Sequence, residues 1–155
     1  MELSSILTPE RIRVPLHATD KTGVIRELVG VLADAGVLLN PEAALDAVLK
    51  REAERTTGIG YGLAIPHGKS DGCERLVMAA GKPAVPVDFQ SFDGRPVNFV
   101  VLLISPPDQT GPHIQALAKI SRLMNIQDFR TAVEQAKTAE ELHQAIARCE
   151  AAEAG

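Results

Sequence analysis

The sequence predicts an α/β protein, a single layered domain in which strands alternate with helices. Three observations carry that expectation. Val100 to Ile104 is an uninterrupted apolar run, the pattern of a strand buried on both faces. Other short strand-like runs are separated by segments with helical spacing, which implies helices layered on a sheet. The chain has 155 residues, 45% apolar and 23% charged, which suits one domain with one core over residues 1–155.

Ile12-Arg13-Val14-Pro15-Leu16 alternates and reads as a first strand, with Pro15 marking an edge or a bulge. His17 follows it as a solvated strand-end residue. Thr19-Asp20 can cap a helix running to Ala35, because Val24, Ile25, Leu28, Val29 and Leu32 fall at helical spacing and Gly36 is a good stop. Asn40-Pro41-Glu42 opens a second helix with a capping side chain, a proline and an acid in the first turn. Its apolar face is Ala44, Leu45, Val48 and Leu49. Arg51 and Arg55 lie near its end, where cations suit the helix dipole, and either is also free to point at an anion.

Gly58 to Gly68 is a glycine-rich stretch. Thr56 and Thr57 open it, and their hydroxyls either close the turn or bind an anion. Leu63 to Ile65 is long enough for a brief strand, which Pro66 should end. His67 is then expected at a strand end, with Gly68 leaving space above its ring. Leu76 to Ala80 is a further strand, Asp93-Gly94-Arg95-Pro96 a turn, and Val97 to Ser105 the central strand, stopped by Pro106-Pro107. Thr110 or Gly111 can cap the next helix, with Pro112 in its first turn. That places His113 at a helix start beyond the C-terminal end of the central strand, where open α/β sheets bind ligands and helix amides face anions. Asp128 starts another helix, with Phe129 and Val133 inward. Thr138-Ala139-Glu140-Glu141 forms a capping box for the last, which has Leu142, Ile146 and Cys149 on one face and His143 at the surface. Ala151 to Gly155 is expected to fray.

Composition excludes several classes. A net charge of −4 argues against a nucleic-acid binder and suits docking on a basic protein. Cys73 and Cys149 form no paired motif, which points to a reducing compartment. No signal peptide is expected from Met1-Glu2-Leu3-Ser4-Ser5, and Phe99 to Ile104 is too short to span a bilayer, so direct membrane insertion is not expected and the cytoplasm is. Gly68-Lys69-Ser70 looks like the tail of a phosphate-binding loop, but Leu63 stands where that loop needs glycine, so no nucleotide cofactor is expected. Lys69 is left to docking or plain surface. His67 and His113 without carboxylate or cysteine companions are too few for a structural zinc site.

Glu52, Ile59, Gly60, Leu63, Ala64, Ile65, Pro66, His67 and Gly68 stand at the spacing of a known signature. It resembles the active-site signature of phosphotransferase-system enzyme IIA domains of the fructose/mannitol class. Ser4-Ser5-Ile6-Leu7, Arg51-Glu52, Asp88-Phe89, Asp93-Gly94-Arg95-Pro96-Val97 and Pro107-Asp108-Gln109-Thr110 extend the likeness toward its nitrogen-regulatory branch, over about residues 3–149. Gly111-Pro112 departs from it as a stiffer approach to His113, and Tyr61 is large among the glycines.

The resemblance implies a small mixed β-sheet flanked by helices. It implies that His67 accepts a phosphoryl group from a small histidine phosphocarrier protein, with His113 donating a hydrogen bond to the phosphoryl oxygens. Arg51 and Thr57 support them, within an apolar rim of Leu63, Ile65 and neighbours. No metal or cofactor is implied. A nitrogen-regulatory form would bind target proteins according to its phosphorylation state; a sugar-uptake form would pass the group to a IIB domain cysteine. A binding module on the same fold that has stopped accepting phosphate is the non-enzymatic alternative.

Overall fold

The computed structural model describes residues 1–154. A short helix α1 (Leu3–Ile6) and a 3₁₀ turn (Pro9–Arg11) lead into β1 (Ile12–Leu16). Helices α2 (Lys21–Asp34) and α3 (Pro41–Glu54) follow, then β2 (Gly58–Gly60), β3 (Leu63–Ala64), β4 (His67–Lys69), β5 (Val77–Pro83) and β6 (Phe99–Ser105). The chain closes with α4 (Thr110–Met124), α5 (Gln127–Gln135) and α6 (Ala139–Ala154).

Six strands form one mixed sheet in the order β1-β5-β6-β3-β2, with β4 also on β6. The expected α/β layering and central strand are both present, and every residue of β6 is buried. β1 lies at the sheet edge, and its register slips between Arg13 and Leu16, around Pro15.

Side-chain alternation on β6 separates two cores. Phe99, Val101 and Leu103 pack with α1 and α4 to α6, whereas Val100, Leu102 and Ile104 pack with α2 and α3. Each fully buried side chain of this kind is worth roughly 1.5–3 kcal/mol, so the strand is pinned in register from both sides.

The helix starts follow the chemistry of their caps. Asp20 accepts from the Gly23 amide at 2.8 Å, and Asn40 from the Ala43 amide at 3.1 Å. Thr138 accepts from the Glu141 amide at 3.1 Å, and the Glu141 carboxylate reaches back to the Lys137 amide at 2.9 Å. α4 starts one residue earlier than expected, with Gln109 as its cap and no side-chain hydrogen bond there. The last helix runs to Ala154, through the stretch expected to fray; residue 155 lies outside the described residues.

Two expectations are corrected. β3 does end before Pro66, but the chain does not leave the sheet there. Leu63 lies opposite Phe99 and His67 opposite Leu103, the same displacement along β6, so β3 and β4 are one extended track. Proline lacks only the N–H; its carbonyl accepts from the Leu103 amide at 3.0 Å and keeps the track paired. The glycine-rich stretch also carries β2, antiparallel to β3. The turn between them is Tyr61-Gly62, both at positive φ. His143, expected at the surface, holds the Ser4 carbonyl at 2.9 Å and ties α6 to α1. Among the described residues no helix is long and apolar enough to cross a membrane.

Candidate functional site

Alternation along the β3–β4 track decides which way His67 faces. Leu63 and Ile65 point to the α4–α6 core, so His67, two further on, points the same way. Gly68 points to the other face and backs onto α3. A Cβ there would lie 3.0 Å from the Val48 amide nitrogen and 3.1 Å from the Ala47 carbonyl carbon. Gly68 therefore does not open space above the imidazole, as expected from sequence; it lets α3 press against the strand that carries His67.

His67 is half-buried. Its Nδ1 lies 2.7 Å from the Ile65 carbonyl oxygen. A carbonyl only accepts, so Nδ1 carries the proton and Nε2 presents a lone pair. Burial holds the His67 pKa below the usual histidine value, and the Arg51 charge pushes it the same way; the Ile65 hydrogen bond and the Glu52 charge oppose the fall. The ring is neutral at pH 7.

His113 enters from α4. Its ring centroid is 5.4 Å from that of His67, at an interplanar angle of 68°. It is buried, and its Nδ1 lies 2.6 Å from Ser105 Oγ. Burial first, and then the His67 and Lys69 charges, lower its pKa to about 4. Ser91 Oγ is the buried side-chain polar atom without a partner among the described residues. Neither free Nε2 is therefore sealed from water.

A cleft of about 250 Å³ opens at His67, lined also by Arg51, Arg55, Thr56, Thr57, Ile59, Ile65, Phe92 and Leu117. Arg51 and Thr57 line this cleft with His67, and His113 stands against His67 without lining it, so the structure brings all four residues singled out from sequence into one neighbourhood. Arg51 donates to the Arg55 carbonyl at 3.0 Å, so the end of α3 holds it at the rim. Arg55 sits over the Phe92 ring, 5.3 Å from its centroid. Thr56 donates to the Phe89 carbonyl and accepts from the Gly58 amide, which is the turn-closing role. Lys69 donates to Thr110 Oγ1 at 3.0 Å, beside the start of α4.

Thr57 is less free than its residue type suggests. Its amide and hydroxyl both donate to the buried Glu52 carboxylate, at 2.9 and 2.5 Å. Lys21 completes that carboxylate from α2 at 2.9 Å. The apolar rim is Ile59, Ile65, Phe92 and Leu117; Leu63, expected in it, is wholly buried in the core. Tyr61 lies in a neighbouring groove, with Arg130 stacked 4.3 Å from its ring centroid. A larger hollow of about 570 Å³ lies by α1 and the start of β5, but none of the candidate residues borders it.

Three participants escape sequence reasoning from residue types. The Ile65 carbonyl is a backbone group. Glu52 stands in the signature, yet only its burial shows that it anchors Thr57. Ser105 carried a legible signal, being the polar residue that ends an apolar strand on the same face as Leu103.

The family model for the EIIA 2 component of the phosphoenolpyruvate-dependent sugar phosphotransferase system matches residues 5–149. A nitrogen regulatory protein of Bradyrhizobium diazoefficiens is 33% identical over 147 residues, 95% of each chain. A fructose-specific EIIA component of Haloferax volcanii is 32% identical over 146 residues, 94% of this chain and 95% of its own. The crystal structure of nitrogen regulatory protein IIA-Ntr from Neisseria meningitidis matches with a TM-score of 0.81 at 25% identity, over 93% of this chain and 98% of that one. The matched span takes in both histidines and the whole lining of the cleft. The chain belongs to the EIIA type 2 family, phosphoryl-carrier domains of the phosphoenolpyruvate-dependent sugar phosphotransferase system.

Proposed function

We propose that His67 accepts a phosphoryl group through Nε2 from the phosphohistidine of a small histidine phosphocarrier protein, and that the phosphorylated chain acts in nitrogen regulation. The observation that carries the first part is the 2.7 Å contact between His67 Nδ1 and the Ile65 carbonyl oxygen. It keeps the proton on Nδ1 and the lone pair on Nε2, the form an imidazole nucleophile needs.

In the transfer, the Nε2 lone pair forms the new N–P bond. The donor's N–P bond breaks, and its electron pair returns to the donor imidazole. No proton need move, because His67 keeps Nδ1–H on the Ile65 carbonyl, which also steadies the positive charge that develops on the ring. Phosphoryl transfer asks a protein mainly for placement and charge stabilisation. His113 supplies a hydrogen-bond donor to the phosphoryl oxygens and Arg51 supplies positive charge. Thr57 acts through Glu52 as a positioning residue. The apolar rim of Ile59, Ile65, Phe92 and Leu117 limits water around the phosphohistidine.

The regulatory role rests on the likeness to nitrogen regulatory proteins. Transfer onward to a IIB domain cysteine is the second reading, favoured by the fructose-specific relative. Both place the protein in the cytoplasm, in keeping with Cys73 and Cys149 as free thiols.

The test is intact-protein mass after incubation with phosphoenolpyruvate, enzyme I and the histidine phosphocarrier. One acid-labile phosphoryl group is expected. Its absence, with a carrier shown competent on another IIA domain, removes the carrier reading in favour of a phosphate-independent binding module. Adding a IIB domain then separates the branches: rapid loss of the label to the IIB cysteine supports sugar uptake, and retention supports regulation.

A further inference from the structure

We infer that Ser105 is a positioning residue: it donates its hydroxyl proton to His113 Nδ1 and so holds His113 as an Nε2–H donor beside His67. The inference rests on the reading that His113 serves a phosphoryl group on His67.

The placement follows from the sheet. Ser105 is the last residue of β6, opposite Lys69 of β4, and continues the face of Phe99, Val101 and Leu103. Its side chain therefore leaves the sheet on the side where α4 begins, and its Oγ meets His113 Nδ1 at 2.6 Å. Ser105 is fully buried, its carbonyl is taken by the Ser70 amide at 2.9 Å, and among the described residues Oγ has no other partner.

A hydroxyl can donate or accept, so two arrangements compete. If Ser105 accepted from Nδ1–H, its own proton would be buried without an acceptor, which is costly. His113 would then offer only a lone pair at Nε2, which repels phosphoryl oxygens. If Ser105 donates, the Nδ1 lone pair is filled and Nε2–H remains for a group carried on His67. Every polar hydrogen then has a destination.

The neutral ring makes this choice matter. His113 is held neutral by burial first, and by the positive charge of Lys69. An imidazolium would donate from both nitrogens whatever Ser105 did. A neutral ring has one proton, and something must place it. Partners that orient a histidine in metal sites are worth about 10–100-fold, so losing the Ser105 hydroxyl should slow phosphorylation of His67 on the order of 10-fold.

The experiment is nitrogen-15 NMR of the imidazoles in the free full chain, with phosphorylation rates measured alongside. In the wild type, His113 should show a protonated Nε2 and an unprotonated Nδ1. In Ser105→Ala, a population with protonated Nδ1 should appear and the rate should fall. Ser105→Thr, which restores the hydroxyl, should recover both. A protonated His113 Nδ1 in the wild type overturns the inference. So does a folded Ser105→Ala protein with unchanged tautomer and rate, since a merely structural serine would lower stability alone. If Ser105→Ala does not fold, the wild-type spectrum decides by itself. If the wild type is never phosphorylated while the spectrum is as expected, the carrier reading fails and the assignment of the Ser105 proton stands.

Discussion

His67 on β4 and His113 on α4 are two neutral imidazoles, 5.4 Å apart between ring centroids, and each has Nδ1 engaged and Nε2 free. What differs is the partner. The Ile65 carbonyl can only accept, which leaves His67 a lone pair on Nε2. The Ser105 hydroxyl can donate, which leaves His113 a proton there. On the proposed reading one residue type yields a nucleophile and a hydrogen-bond donor, and the atom behind each ring sets which. The two sites also differ in what carries them. His67 rides on a strand paired with the buried β6, while His113 stands in the first turn of α4.

The comparison breaks most completely at the nucleophile. His67→Ala should abolish the phosphoryl mass increment, and no other histidine should take it up. A label persisting on the mutant would transfer the carrier role elsewhere. His113→Ala should leave the label attainable at long times and slow its arrival by about 10²–10³-fold, the usual cost of one preorganised donor to a developing charge. Single-turnover rates decide this. An effect below tenfold would mean that His113 does not face the phosphoryl oxygens.

A third test separates the two rings by stability. The folded-state pKa of His113 is about 4, below its ordinary value of 6.5. The folded form therefore binds fewer protons than the unfolded chain between those values. The contribution is complete above pH 6.5 and is lost as pH falls toward 4. At 1.36 kcal/mol per pH unit this amounts to about 3 kcal/mol. Urea unfolding from pH 7 to 4 should show a loss of at least this order, and His113→Gln should reduce it, leaving the part that His67 contributes in the same direction.

Gly68→Ala probes the His67 side alone. The new methyl would meet backbone of α3, at 3.0 Å from the Val48 nitrogen, and a helix backbone cannot yield as a side chain can. Crowding of this kind costs about 1–3 kcal/mol. A neutral effect on urea unfolding would mean that the strand is less tightly pressed than it stands here.

Much of this was legible in the sequence because it depends on local pattern. The run from Val100 to Ile104 announces a central strand, since a segment buried on both faces must be apolar throughout. Asn40-Pro41-Glu42 announces a helix start, since capping is decided within one turn. Proximity of His67, His113, Arg51 and Thr57 was legible through the family likeness alone; composition and spacing place no two of them together. The rest was hidden for physical reasons. The carbonyl behind His67 belongs to Ile65, whose side chain says nothing about it. Pro66 misled because its missing N–H suggested a broken ladder, while its carbonyl, the group β6 uses, was intact. Gly68 misled because a missing side chain admits either solvent or another backbone. Only the crossing of α3 shows which.

The smallest expected effect is also the most specific to His67. Arg51 lowers the His67 pKa because a positive charge disfavours protonation, and Glu52 acts in the opposite direction. Phosphoryl acceptance requires neutral His67, so the rate should fall as pH drops through that pKa. Arg51→Gln removes the repelling charge and should move the acid limb toward higher pH; Glu52→Gln should move it toward lower pH. The ring-proton NMR titration of His67 reads both shifts without relying on the transfer rate, which Arg51→Gln also lowers through its charge on the phosphoryl group. Two variants shifting the midpoint in the same direction would mean that solvent access to the cleft, rather than these two charges, governs the nucleophile.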